Sequence, residues 1–241
     1  MPVELRRDLR GTFVLVHGAW AGAWCWARVV DCLVANGHRV YTPTLSGLGE
    51  RSHLATCDIN LTTHVTDVVN EIMWKDLDDI VLVGHSYGGI VITGAAEHVA
   101  ERIASIVYMD AFIPDDGESA VDLGMSADSD GVLIPAAPTS EGDYINEADR
   151  VWVDSKATPQ PSATFTEKLH VSGAYQRVPN KVYIRASNGP SIFDKVAAKA
   201  RSDRTWSVYE IESGHDLEID APKELCEILE ACARQVRHAR T

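Results

Sequence analysis

The chain has 241 residues, 45% of them hydrophobic and 24% charged, which suits a globular enzyme of one domain, or one domain carrying an insertion, with a substantial core. Its 22 basic residues against 35 acidic ones leave a net charge of −13, which works against nucleic acid, a membrane surface or a strongly anionic substrate as a partner. Five cysteines (Cys25, Cys32, Cys57, Cys226 and Cys232) include no C-x-x-C pair, so reduced thiols are expected rather than a zinc site or a disulfide framework.

The opening MPVELRRDLR is charged with no apolar stretch behind it, so no secretory signal and a cytoplasmic location are expected. Thr12 to Val16 (TFVLV) reads as a strand ending at His17-Gly18, and a helix follows around Trp26 to Ala35, stopped by Asn36-Gly37. Arg39 to Thr42 is a short second strand ended by Pro43. Thr63 to Trp74 carries Val65, Val68, Val69, Ile72 and Met73 at helical spacing. Ile80 to Val83 is a third strand, Gly88 to Val99 a helix and Ile103 to Met109 a fourth strand. Ile80 to Ala96 holds no Asp, Glu, Lys or Arg, yet His85, Ser86 and Gly88-Gly89 suit a strand, a turn and a buried helix better than a membrane span.

From 112 to 178 the rhythm breaks into a stretch rich in Pro, Gly, Ser, Ala and Asp. An insertion leaving a parallel sheet at its carboxyl end is a natural lid, because pockets form there. Regularity returns with a strand over Lys181 to Ala186, a helix near Ser191 to Ala200, a strand over Trp206 to Ile211 and a last helix from Ala221 to Arg237. The alternation predicts a mostly parallel sheet of about six strands flanked by helices, which together with the serine motif described next is expected to be an α/β-hydrolase fold, with 1–111 and 179–241 as core and 112–178 as the lid (cap) insertion.

Gly84-His85-Ser86-Tyr87-Gly88 places G-x-S-x-G directly between an apolar strand and a helix, the context of a nucleophile elbow, with Ser86 as the nucleophile. Acyl transfer needs fixed donors for its oxyanion, and the expected ones are the N–H groups of Tyr87 and of Ala19, in the short-residue loop after the first strand. His215 follows the last strand in Glu212-Ser213-Gly214-His215-Asp216 and comes after Ser86 in the chain, which makes it the expected general base. The acid is expected to be Asp110, at the end of the fourth strand, with Asp194 second. The loop after Lys181 to Ala186 (Ser187-Asn188-Gly189-Pro190) holds no carboxylate. Trp20 and Trp152 are candidate walls of the pocket, and Asp216 is expected to cap the turn after the base. Gly47-Leu48-Gly49 lacks the third glycine of a dinucleotide fingerprint, and no histidine pair stands at metal-ligand spacing. Neither cofactor nor metal is expected; a homodimer is compatible with the sequence.

FVLVHGAWAGAWCW, GHSYGG and GHD resemble the plant methylesterase and hydroxynitrile lyase family of α/β-hydrolases. TPTLSGLGERSHL and VYMDAFIPDDGES are more similar to bacterial esterases such as the carbendazim-hydrolysing esterase. The likeness covers most of the chain and is weakest in the lid. It implies the same roles for Ser86, His215, Ala19 and Tyr87, but plant members carry their aspartate after the penultimate strand, where this chain has Gly189. Asp110 matches instead the acid position of some haloalkane dehalogenases, whose carboxylate nucleophile this chain lacks. The lyases place a threonine soon after the first strand and a lysine just after the catalytic histidine; here those places hold Gly18 and Asp216. The function expected is therefore hydrolysis of a small or medium, neutral, partly aromatic carboxylic ester or carbamate through an acyl-enzyme. A hydroxynitrile lyase and a slow-turnover small-molecule receptor of the same fold are the alternatives.

Overall fold

In the computed structural model, which describes residues 10–127 and 132–238, six strands form one sheet. They are β1 (Thr12–Val16), β2 (Arg39–Tyr41), β3 (Ile80–His85), β4 (Ile103–Met109), β5 (Asn180–Ala186) and β6 (Trp206–Ile211), in the order β2-β1-β3-β4-β5-β6. Every neighbouring pair runs parallel. The chain thus has the α/β-hydrolase fold.

Near-continuous apolar runs form the inner strands β1, β3 and β4 because both sheet faces are covered there. On one face Phe13, Leu15, Val81, Val83 and Val182 pack with Val29 and Leu33 of α1 (Ala27–Ala35) and with Leu225 and Leu229 of α8 (Pro222–His238). On the other, Val14, Val16, Leu82, Ile106 and Tyr183 pack with Val65, Val68 and Ile72 of α2 (Leu61–Met73) and Ile90 and Val91 of α3 (Gly88–Val99). Helix α2 starts two residues before the hydrophobic pattern does. Asn60 accepts from Thr63 N–H at 2.9 Å while Thr63 Oγ1 accepts from Asn60 N–H at 3.3 Å, a reciprocal cap that fixes the start.

Between β4 and β5 the chain leaves the sheet and builds α4 (Glu147–Lys156), α5 (Ala163–Thr166) and a two-residue ribbon pairing Leu133–Ile134 with Gln160–Pro161. This segment is fastened to the loop after β1. Trp20 N–H donates to Gln160 Oε1 at 2.9 Å, Trp20 Nε1 to Ile134 O at 3.1 Å, and Thr158 N–H to Trp20 O at 2.9 Å. Helices α6 (Asp194–Ser202) and α7 (Leu217–Asp220) complete the core. No helix among the described residues is long and apolar enough to cross a membrane.

One expectation is corrected. Cys32 of α1 and Cys226 of α8 form a disulfide across 194 residues, with Cα atoms 6.6 Å apart, while Cys25, Cys57 and Cys232 are free. The pair is invisible as a motif because the two helices meet only when both pack on the same sheet face. Thiol titration of the unfolded, unreduced chain should accordingly find three thiols rather than five. Cys226→Ser should cost about 2–4 kcal/mol and lower Tm by roughly 5–10 °C in calorimetry. An unchanged Tm would mean the cross-link does not form in solution.

Candidate active site

Strand β3 runs two residues further than its apolar pattern, with Gly84 beside Tyr108 and His85 beside Met109, and then turns sharply. Ser86 holds φ 52, a left-handed conformation unfavourable for a residue with a side chain. The turn survives because it is tied on both sides: Ser86 N–H donates to Met109 O at 3.2 Å, and Ser86 O accepts from Gly89 N–H at 3.0 Å. A Cβ on Gly84 would stand 2.6 Å from Gly88 O, and one on Gly88 would stand 2.7 Å from His17 O. The two glycines flanking Ser86 are therefore required by close backbone approach, and Ser86 stands at the entry to α3.

The loop after β1 is fixed by His17, whose Nδ1 lies 2.8 Å from Gly18 O and whose Nε2 accepts from Leu45 N–H at 3.1 Å. It presents Ala19 beside Ser86 at the cavity wall. Among the described residues, neither Ala19 N–H nor Tyr87 N–H has a hydrogen-bond acceptor. The Tyr87 side chain is buried, and its hydroxyl pairs with His64 Nδ1 at 2.9 Å.

Asp110 ends β4 at φ 42 with its side chain wholly out of solvent. Its Oδ2 meets His215 Nδ1 at 2.6 Å, and its Oδ1 meets Arg185 Nη1 at 2.6 Å and Ala186 N–H at 3.3 Å. His215 stands on the loop after β6, its ring stacked on Phe193 with centroids 5.1 Å apart. Asp194 does not reach His215; it is exposed and ion-paired to Arg185 at 2.8 Å. Gly189 explains where an acid cannot stand. A Cβ there would lie 2.6 Å from Asp110 Oδ2 and 2.8 Å from Arg185 Nη1, so Asp110 already fills the space a side chain at 189 would need.

Arg185 carries no sequence signal. It is one of three polar residues of β5, with Asn180 and Lys181, yet its guanidinium, on a buried side chain, also reaches Gly189 O and Pro190 O at 3.0 Å. The nearest available clue was chemical, since a carboxylate at the end of an apolar strand needs a cationic partner.

Two cavities of about 450 and 380 Å³ open on this centre, and both are lined by Trp20, Ser86, Ala137, Pro190 and His215. The smaller is apolar, walled by Phe112, Met125, Ile134, Ile192 and Phe193. The larger is the more polar of the two, reaching Tyr144, Asp216 and Glu218. Trp152 lines neither. It packs edge-on against Trp24 at 5.0 Å because α4 turns Val153 and Asp154 toward the cavity instead. The Asp216 side chain does not cap the following turn; it accepts from the Tyr144 hydroxyl, while its backbone carbonyl serves Ile219 and Asp220 N–H. The Gly47–Gly49 loop contributes to neither cavity and packs on Gly22. Donor atoms of His85, His215 and Asp216 come within 4.8 Å of one another, but His85 Nε2 faces His215 O at 3.0 Å and His215 Nδ1 faces Asp110, so their bonding calls for no ion.

Three histidines are buried around the elbow: His17, His64 and His85. Burial pulls each from 6.5 down to about 4. An unfolded chain protonates them near 6.5, so between pH 6.5 and 4 it takes up protons that the folded state refuses, and stability is lost as pH falls through that window. By pH 5 each contributes a loss of about 2 kcal/mol. Calorimetry from pH 7 to 5 should show a falling Tm, with a shallower slope in His64→Gln; a flat profile would mean these rings are protonated in the fold.

The Alpha/beta hydrolase family pattern matches residues 13–228. The carbendazim hydrolyzing esterase of a Nocardioides species is 38% identical over 91% of this chain and 98% of its own length. Methylesterase 8 of Arabidopsis thaliana is also 38% identical, over 47% of this chain and 42% of its own length. Among solved structures, an extracellular alpha/beta-hydrolase from a Paenibacillus species, described as sharing structural and functional homology with tobacco salicylic acid binding protein 2, superposes with a TM-score of 0.81. It is 28% identical and covers 93% of this chain and 99% of its own.

Proposed function

The chain belongs to the alpha/beta hydrolase family and is an esterase, and we propose that Ser86 is its nucleophile in an acyl-enzyme mechanism on a small or medium carboxylic ester or carbamate. The observation that carries this reading is the buried relay Arg185–Asp110–His215, opening on the same cavities as the Ser86 elbow. His215 takes the Ser86 proton as Oγ attacks the neutral carbonyl, and Asp110 orients the imidazole and stabilises its charged form. Ala19 and Tyr87 N–H receive the developing oxyanion at the amino end of α3. His215 then protonates the leaving group; a water that gives its proton to the same base attacks the acyl-enzyme, and the acid departs as that proton returns to Ser86 Oγ. Arg185 is a positioning residue acting through Asp110. Trp20, which lines both arms, is the wall against which an aromatic substituent packs. The apolar arm takes a hydrocarbon or aryl group of the substrate. The Cys32–Cys226 disulfide removes the reduced-thiol argument for a cytoplasmic location, which leaves the compartment open to an oxidising one.

Turnover of p-nitrophenyl esters of rising chain length, an aryl carbamate, an anilide and mandelonitrile tests the reading. Esters or carbamates should turn over in wild type and lose at least about ten-thousand-fold in Ser86→Ala. Cyanide release from mandelonitrile alone would make the protein a lyase. Silence on every substrate, with ligand still bound, would make it a receptor.

The acid has its own test. Asp110→Asn should lose about a thousand- to ten-thousand-fold in kcat/KM, while Asp194→Asn stays within about threefold. The reverse pattern would transfer the role to Asp194. Arg185→Met leaves the Asp110 charge unshared, so the acidic limb of its pH–rate profile should move up by about one pH unit, with Arg185→Lys restoring part of the shift. An unmoved limb would reduce Arg185 to a packing role.

A further inference from the structure

The larger arm of the cavity has a charge pattern that the esterase reading does not use. Asp143, Asp154, Asp216 and Glu218 all line it, and among the described residues no lysine or arginine does. Three of these carboxylates have their own partners. Asp143 takes Ser140 N–H at 2.5 Å, Asp154 takes Thr139 Oγ1 at 2.9 Å, and Asp216 takes the Tyr144 hydroxyl.

Glu218 differs. It is 1% exposed, and its Oε2 has no hydrogen-bond partner. Among the described residues no donor reaches that oxygen. His85 Nε2 faces the carbonyl of His215 at 3.0 Å, so that nitrogen carries the proton and Nδ1 holds a lone pair. Nδ1 lies 3.4 Å from Glu218 Oε1, which must therefore bear a proton toward it. Burial and the adjacent Asp216 push the Glu218 carboxyl well above its ordinary range, in keeping with that proton. The Cys25 thiol beside it is a weak donor only. Oε2 is left as a strong acceptor in a cavity wall, and an unmet acceptor at such burial costs roughly 1–3 kcal/mol.

We propose that the Glu218 end of this arm is a subsite for an organic ammonium group on the substrate, with Glu218 as its specificity determinant. An ammonium N–H donates to Oε2, and the Asp216 charge balances the cation behind it. Trp20 and Trp24, which also line the arm, offer ring faces to the alkyl groups on the nitrogen. The inference rests on the esterase reading for the reaction, but the subsite can be read by binding alone.

The experiment uses matched pairs differing only in charge. One pair is 2-(dimethylamino)ethyl phenylacetate and 3-methylbutyl phenylacetate; the second carries the same two groups on the acyl side of a benzyl ester. Non-hydrolysable ethers of the same shapes are titrated onto Ser86→Ala by calorimetry. In wild type the ammonium member of at least one ester pair should exceed its carbon isostere about tenfold in kcat/KM, and its ether should bind more tightly by a similar factor. Glu218→Leu should bring both ratios to about one, whereas Glu218→Gln, whose amide N–H can meet His85 Nδ1 and leave its carbonyl for the ammonium, should keep them within about threefold of wild type. Equal binding of the two ethers to the Ser86→Ala protein, or a preference that survives Glu218→Leu, overturns the subsite. A Glu218-dependent preference among the ethers with no ester turned over sustains the subsite and overturns the esterase reading instead.

Discussion

A carboxylate taken wholly out of water is the constraint around which this structure is organised. Isolated, the Asp110 charge would cost several kcal/mol in a protein interior. It is tolerated because three strand ends converge on it: Arg185 and the Ala186 N–H at the end of β5, the His215 ring after β6, and its own backbone at the end of β4. The guanidinium that balances it also gathers Gly189 O and Pro190 O, so the same cation shapes the loop from 187 to 190. That loop in turn gives Asn188, Gly189 and Pro190 to the cavity wall. Charge compensation and pocket shape are therefore one set of contacts, and changing Asp110 disturbs both.

The elbow on the other side is held by a different device. His17, His64 and His85 are kept neutral by burial; His17 and His64 use both nitrogens to join backbone or hydroxyl groups, while His85 joins the His215 carbonyl through Nε2 and lies beside the Glu218 carboxyl at Nδ1. A neutral ring with one donor and one acceptor suits this task, since it satisfies two buried polar groups without adding charge. The half-buried His215 differs from them at its Nδ1, which meets the ion-paired Asp110 carboxylate at 2.6 Å. The proposed base is distinguished by that close partner and by its place in the wall of both cavities.

The sheet was legible almost residue by residue. Strands β1 and β4, helix α3 and strand β6 begin and end where the sequence predicts, and for β1 and β4 the reason is that strands buried on both faces read as near-continuous apolar runs. The proximity of Ser86, Asp110 and His215 was legible too, since strand ends and chain order carry it. What the sequence hid depends on packing between distant segments. Arg185 looks like one of three polar residues in a strand. Cys32 and Cys226 lie 194 residues apart, and Trp152 was read from its type alone. The lid was expected only as an insertion. Its contribution to the larger arm, through Tyr144, Val153 and Asp154, follows from the phase of α4, which a composition rich in small and polar residues does not disclose.

The same charges bear on the choice between ester hydrolysis and cyanohydrin cleavage. In hydrolysis the negative charge of the transition state forms on the carbonyl oxygen, where two backbone N–H groups suffice and no cation is required. Cyanohydrin cleavage places a full negative charge on a departing cyanide, at a distance from those donors. That charge needs a cation of its own. Here the residue after His215 is Asp216, an acceptor for Tyr144 with Glu218 close behind it, and among the described residues the cavity wall contains no lysine or arginine. A departing anion would meet the Asp216 carboxylate at the place where it most needs a counter-charge, whereas a neutral carbonyl pays no such penalty on entering. The overall charge of −13 excludes anionic partners at long range, and these few side chains impose the same exclusion at bonding distance.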